Sequence, residues 1–415
     1  MLSAARRFAT RRPTILIRCS EPHKACRRYW RHHSTDHKLD EPLRVLFCGS
    51  DYFSISCLRA LHHYAQEPGS NVESIDVATK TDKRTGRGLK LLKPPAIKPV
   101  AQELGLRLHQ FDTFRGWQLP RNDGAPETYI NIVIAVSFGL LVPPRILGAC
   151  RFGGLNVHPS MLPDLKGSAP IEHTILNGYD RSGVTVQTLH PSNFDEGHIV
   201  AQTAAPGVRI PQHDQITTPQ LGAMLADIGA DMLVRTLQER RYLGPHSSQP
   251  TVADTGLLKH APKVTTEDRH IHFATMTAPQ ILRRNRALGQ LWARPPLHQN
   301  ASVPAGQDLR IKFSSDMRLL VDEENAALDI KEAGRLVANG VPFCLADDEL
   351  ATPHAVGGQP LWVKTADEQY LCLPQMAFSG KPIGPSAQVA ARAHLLQERG
   401  RSTNNSRLYT FSAQC

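Results

Sequence analysis

Asn156 and His158 stand two residues apart in the stretch GLNVHPSMLPDLKGSAPI, which runs from Gly154 to Ile171. The residues around them are apolar and strand-like, and alternation along a strand puts residues two apart on one face. The amide and the imidazole are therefore expected to project together as convergent hydrogen-bond donors. Such a pair suits a reaction in which a carbonyl oxygen gains negative charge, because donors fixed where charge develops stabilise a tetrahedral intermediate. A carboxylate is the natural third member, able to orient the imidazole or to accept a proton through water. Asp195, in SNFDEGHIV beyond the next strand-like run, is the best-placed candidate. On the residues alone, a catalytic set and a His with a purely structural hydrogen-bonding role both stay open.

The elements that would position these groups follow from periodicity. LRVLFCGS (43–50) reads as a strand, and FSISCLRALHHY after it has helical spacing. VESIDVATK, YINIVIAVSFG, GGLNVH, GVTVQTLH and GHIVAQT are further β-branched runs, with helix-compatible segments at 94–104, 168–177 and 218–238. Continuous apolar strands alternating with helices imply an α/β fold, a Rossmann-like, mainly parallel sheet covered on both faces. Residues 41–240 are the expected catalytic domain, and Asn156 and His158 fall at the carboxyl end of a strand, where open α/β sheets bind ligands. A polar, aperiodic segment over 241–262 reads as a linker. Residues 263–395 hold one helical stretch, APQILRRNRALGQL, and then short strand-like runs, which suggests a smaller OB-like β-barrel domain. The end of the chain, 396–415, is read as a tail.

The formal charge of +10 over 415 residues would suggest an acidic partner, but it is unevenly placed. Residues 1–35 carry eight Arg and Lys24 against Glu21, which leaves the rest close to balance. An Arg-rich, Ser/Thr-containing, acid-poor start without an apolar core fits a mitochondrial presequence over 1–40 better than a secretory signal, and so predicts the mitochondrial matrix. A basic arm that binds RNA is the alternative for that segment. A second run, from Lys80 to Lys98, sets seven Lys and Arg against Asp82 in a Gly-containing segment with no clear period. The eight cysteines show no C-x-x-C spacing, so free thiols and no metal are expected. No run approaches the roughly 18 apolar residues of a membrane-spanning helix, and no membrane partner is expected.

GLNVHPSMLPDLKGSAPI together with FDEGHIV resembles the signature of the 10-formyltetrahydrofolate-dependent formyltransferases. LRVLFCGSDYFSISCL, TDKRTGRGLKLLKPPAIK and HAPKVTTEDRHIHFATMTAPQILRRNRALG are similar to the opening strand, the basic insertion loop and the start of the C-terminal domain of the methionyl-tRNA formyltransferase family. The resemblance covers roughly residues 41–385. It implies that Asn156, His158 and Asp195 carry the chemistry, with 10-formyltetrahydrofolate as co-substrate and initiator Met-tRNA as acceptor. It places Phe138, Gly139, Leu140, Ser160, Leu162 and Pro163 against the folate. Lys83, Arg84, Arg87 and Lys90 would meet the acceptor stem, and Arg283, Arg284 and Arg286 the tRNA body from the C-terminal domain, in a monomeric enzyme. The sequence departs from the family at Pro159, where a Gly is frequent, at Asp164, which replaces a usual base, and in QLWARPP, a reduced form of an aromatic Pro-Trp-Pro turn. Another folate-dependent formyltransferase, a formyl-folate hydrolase, or a non-catalytic RNA-binding relative are the other readings.

Overall fold

The first strand explains why the sheet forms where it does: every residue of Leu43–Gly49 (β1) except Arg44 is buried, as a strand covered on both faces requires. β1 pairs in parallel with Val72–Thr79 (β2) on one side and Ile132–Val136 (β6) on the other. Arg107–Gln110 (β5) adds beyond β2, and Gly154–His158 (β7) beyond β6, again in parallel. Thr185–Thr188 (β8) and Ile199–Gln202 (β9) then extend the β7 edge as an antiparallel pair. The resulting order is β9-β8-β7-β6-β1-β2-β5. The chain winds outward in opposite directions from β1 and β6, and that switch point leaves a crevice at the carboxyl ends of the strands.

In this computed structural model the described residues are 41–120, 129–246, 258–294, 310–321, 327–346, 358–378, 381–393, 395–401 and 406–411. The expected presequence, and residues 247–257 of the expected linker, lie outside them. Helix α1 (Tyr52–Ala65) starts at a capping box in which Ser54 N donates to Asp51 Oδ1 at 3.0 Å and Asp51 N to Ser54 Oγ at 3.0 Å. It packs beside the 21-residue helix Thr218–Gln238 (α5) on the sheet, and the shorter helices Ile97–Glu103 (α2), Pro144–Leu147 (α3) and Pro170–Leu176 (α4) come between them in the chain. The basic segment read as aperiodic forms a small hairpin, Lys83–Thr85 (β3) with Leu91–Lys93 (β4), closed by a 3-10 turn at Arg87–Leu89.

Beyond Lys259 the described residues form not one helix but three, Ala278–Leu288 (α6), Ala327–Arg335 (α7) and Ser386–Arg392 (α8), and two antiparallel sheets. One has four strands, ordered Leu291–Ala293 (β10), Ile311–Phe313 (β11), Gln375–Phe378 (β16), Gly384–Pro385 (β17). The other has six: Arg318–Leu319 (β12), Tyr370–Leu373 (β15), Leu361–Lys364 (β14), Phe343–Ala346 (β13), Arg407–Phe411 (β19), Leu396–Arg401 (β18). The sheets are not joined into a closed barrel among the described residues. The segment 396–415, read as a tail, instead supplies β18 and β19; β19 is covered on both faces, with Tyr409 and Phe411 in one apolar cluster and Leu408 in another. Pro42–Cys415 makes up one compact unit; its main apolar cluster includes residues from Leu43 to Phe411, and a smaller one gathers Ile330, Phe343, Trp362 and Leu408.

Truncation after Leu395 would remove the strand that pairs with β13 and four buried apolar side chains, Leu396, Leu408, Tyr409 and Phe411, each worth about 1.5–3 kcal/mol of burial. The truncated protein is expected to unfold at a lower temperature and to be cleaved in 310–393 by a protease that spares the full chain. A dispensable tail would leave both unchanged.

Candidate active site

β7 carries Asn156 opposite Gln187 and His158 opposite Thr185 on β8, so all four side chains share one face near the carboxyl end of β7. The loop after His158 does not run out into solvent. Thr185 Oγ1 donates to Ser160 O at 2.7 Å and accepts from Leu162 N at 3.1 Å, and Gln202 Nε2 donates to Leu162 O at 2.8 Å. Ser160 Oγ closes the turn by donating to Asp164 O at 2.7 Å. This fold-back delivers the carbonyl of Leu165 to 3.0 Å from His158 Nε2. A carbonyl can only accept, so Nε2 carries a proton in this contact. Nδ1 faces Asp195 Oδ1 at 3.4 Å.

Asp195 reaches the pair from the loop between β8 and β9. Thr188 N donates to His198 O at 2.8 Å and His198 N to Thr188 Oγ1 at 2.9 Å, which makes the loop base tight. A Cβ at Gly197 would collide with the Thr188 carbonyl oxygen, so only glycine permits that approach. Asp195 sits at φ +55°, a left-handed conformation that Asp tolerates better than most residues, and this turns its side chain inward. Oδ1 accepts from Asn156 Nδ2 at 3.2 Å and from Gln187 Nε2 at 3.1 Å, and Oδ2 accepts from Gly167 N at 3.0 Å. Asn156, His158 and Asp195 are thus brought together within hydrogen-bonding distance or close to it. The arrangement can hold a carbonyl oxygen and steady an imidazole beside a carboxylate.

Other residues singled out in the sequence are placed less uniformly. Gly139 (φ +68°) and Leu140 are accessible on the loop after β6. Phe138 is buried against Phe111 and Phe114, with ring centroids 6.1 and 5.9 Å away. Ser160, Leu162 and Pro163 are buried in the fold-back itself. On the hairpin, Lys83 pairs with Asp112 at 2.8 Å and Lys98 with Asp82 at 2.8 Å, which staples its root to the sheet, whereas Arg84 and Lys90 are exposed. The hydrogen bond from Lys98 holds the Asp82 carboxyl below the usual range, and that from Lys83 does the same for Asp112. These staples are therefore present above the ordinary carboxylate pKa and are lost as pH falls through the depressed values.

Of the three C-terminal arginines, Arg283 and Arg284 are engaged within the protein. Arg284 Nη1 donates to Asp268 O at 2.7 Å and to His270 O at 3.3 Å. The Arg283 guanidinium lies against the Gly178 turn at the end of helix α4 (Pro170–Leu176), and burial pushes the Arg286 pKa down. These contacts of Arg283 and Arg284 reduce what the two side chains can offer a phosphate backbone. Among the described residues, no group of three His, Cys, Asp or Glu is arranged to hold a metal. All five described cysteines are free and buried.

Sequence reasoning did not find Gln187, Gly167 or the Leu165 carbonyl. Gln187 left a trace, as a polar residue in phase with Thr185 inside the apolar run GVTVQTLH; it is 1% exposed. Its Oε1 accepts from Gly197 N at 3.2 Å, so one amide serves both Asp195 and the loop that carries it. Gln187→Leu is expected to destabilise the protein by about 1–3 kcal/mol, since it strips a partner from a buried carboxylate and orphans a buried N–H. The midpoint of chemical denaturation measures this.

Residues 43–237 match the formyl transferase family. The mitochondrial methionyl-tRNA formyltransferase of Saccharomyces cerevisiae is 38% identical over 286 residues, covering 61% of this chain and 69% of the relative. The mouse mitochondrial methionyl-tRNA formyltransferase is 32% identical over 305 residues, 72% of this chain and 68% of that one. The methionyl-tRNA formyltransferase of Caldicellulosiruptor saccharolyticus is 31% identical over 252 residues, 60% and 73% of the two chains. With a match of this extent to proteins of one kind, the chain belongs to the methionyl-tRNA formyltransferase family of formyl transferases.

Proposed function

We propose that this protein transfers the formyl group of 10-formyltetrahydrofolate to the α-amine of methionyl initiator tRNA in mitochondria. Its site of action is the matrix, reached through a presequence in residues 1–40, and it works as a monomer. The observation that carries the chemical part is the convergence of Asp195 on Asn156 and His158, from which it stands far away in the sequence. Asn156 Nδ2 has two hydrogens; one goes to Asp195, and the other is available to an oxygen above the strand end. The acceptor is an α-amino group, with an ordinary pKa of about 7.7–8.0, so a sizeable neutral fraction exists near neutral pH. That amine attacks the formyl carbon, and the oxygen that gains charge is held by Asn156 and His158. Asp195 orients the imidazole and takes up or relays the proton lost by the amine. Tetrahydrofolate leaves, and no covalent intermediate with the enzyme is needed. The loop Phe138–Leu140 and the wall formed by Ser160, Leu162 and Pro163 frame the pteridine, largely through backbone atoms.

The acceptor end of the tRNA meets the basic hairpin. Arg84, Arg87 and Lys90 are the residues assigned to it, with Lys83 contributing through its exchange between Asp112 and a phosphate. The C-terminal domain, whose strands continue to Phe411, is of OB-like type and supports the tRNA body, aided by the exposed parts of Arg283, Arg284 and Arg286.

Formyl-methionine should appear when the protein is mixed with 10-formyltetrahydrofolate and charged initiator tRNA. His158→Ala or Asn156→Ala is expected to lower kcat by about 10²–10³-fold, the usual cost of one oxyanion donor, with tRNA binding nearly unchanged. A His158→Ala enzyme that kept wild-type turnover at saturating substrates would overturn the assignment.

Arg87→Ala should damage formylation of tRNA far more than formylation of a small amine, and should flatten the slope of log affinity against log salt by about 0.7–0.9. Equal loss in both activities would make Arg87 a folate-side or structural residue.

A further inference from the structure

We propose that the interdomain segment Leu258–Pro262 is a positioning element for catalysis, holding the 164–169 loop and, through it, fixing His158 and Asp195. The inference rests on the reading that those two residues carry the chemistry. The strap runs alongside the loop in parallel, with a single β-bridge between Lys166 and His260. Leu165 N donates to Lys259 O at 2.8 Å, Ala261 N to Lys166 O at 2.8 Å, and Ala169 N to Ala261 O at 3.1 Å. Asp164, the departure from the family pattern, accepts from Lys259 N at 2.8 Å through Oδ1.

The peptide unit joining Lys166 to Gly167 is planar, so its carbonyl and its N–H cannot turn independently. The carbonyl takes the strap's Ala261 N–H, and the N–H on the same plane donates to Asp195 Oδ2 at 3.0 Å. The strap thereby sets the direction of a bond that holds the buried carboxylate. Leu165 repeats the device across two adjoining peptides: its N–H is tied to the strap while its carbonyl takes His158 Nε2. Gly167 stands at φ +129°, and a Cβ there would run into the Ala261 carbonyl, so glycine is what lets the two segments close.

The strap is itself anchored to the catalytic domain. His173 Nε2 donates to Pro262 O at 3.1 Å, and Lys259 Nζ reaches Asn177 Oδ1 at 3.1 Å while lying 5.2 Å from the centre of the Tyr179 ring. Burial, aided by a hydrogen bond to Asp164, pushes the Tyr179 hydroxyl up to about 12, which keeps it neutral beside that carboxylate. The same chain continues into α6, so the segment that leads into the C-terminal domain also finishes the catalytic loop.

The test uses the full chain and separates kcat from KM. Asp164→Ala removes the side-chain acceptor of Lys259 N, and Ala261→Pro removes the N–H that meets Lys166 O. A misplacement of about 1 Å can cost 10²-fold, so kcat at saturating substrates is expected to fall about tenfold in Asp164→Ala and more in Ala261→Pro. KM for Met-tRNA should stay within about twofold, a change too small to register against the usual spread of binding effects. Asp164→Asn, whose Oδ1 still accepts, should restore kcat. An unchanged kcat, or a rise in tRNA KM alone, would show a mere tether and overturn the proposal. If Ala261→Pro fails to fold, the Ala and Asn variants at 164 decide. A His158→Ala enzyme with normal turnover sinks the site reading itself. An impaired His158→Ala enzyme beside a normal Asp164→Ala enzyme sinks only the strap.

Discussion

The buried carboxylate of Asp195 is the constraint around which the site is built. Its side chain is 8% exposed, and a charge removed from water must be met by hydrogen bonds or it costs several kcal/mol. Four groups from four places meet it: the Asn156 amide, the Gln187 amide, the Gly167 backbone and the His158 ring. Its left-handed backbone costs of the order of 1–3 kcal/mol unless the surroundings hold it, and here the tight β8–β9 loop does so. Each donor that satisfies the charge is at the same time placed relative to the others, so preorganisation of the reacting groups comes with the solvation of one ion.

The position of the site in the sheet follows from topology. Five parallel strands would leave the β7 edge bare; the antiparallel β8–β9 pair covers it and brings Gln187, Thr185 and the Asp195 loop to the same face. Thr185 and Gln202 then clamp the fold-back after His158. The site thus stands on strands and on loops tied to strands, which hold side chains more firmly than free loops do.

Charge is used in two ways. On the hairpin the carboxylates of Asp82 and Asp112 pin the root, and cations further out stay exposed. On α6, arginines that look equally suited to phosphate are partly consumed inside the protein: Arg284 is bonded to two carbonyls of its own domain and Arg283 lies against the Gly178 turn of the catalytic domain. The physical difference is burial: a solvated cation can exchange its partner for a phosphate at little cost, whereas Arg284, bonded to two carbonyls, cannot.

How much was legible in the sequence differs by element. Apolar runs and their spacing determined the parallel sheet, the helices that flank it and the shared face of Asn156 and His158, because a side chain's burial is written in its own letter and in its period. Asp195 could be nominated as the third group because a carboxylate is chemically needed and one lay beyond the next strand. The periodicity of 396–415 was too short to separate a strand pair from a tail, and only pairing with β13 decided it. The OB-like barrel expected from short strands is, in the described residues, two antiparallel sheets, since strand content does not specify closure. The strap, the Leu165 carbonyl and the Gly167 N–H were invisible for a more basic reason. They act through backbone groups that nearly every residue possesses, so no letter marks them, and only the tertiary structure chooses which carbonyl faces the imidazole and which N–H meets the carboxylate.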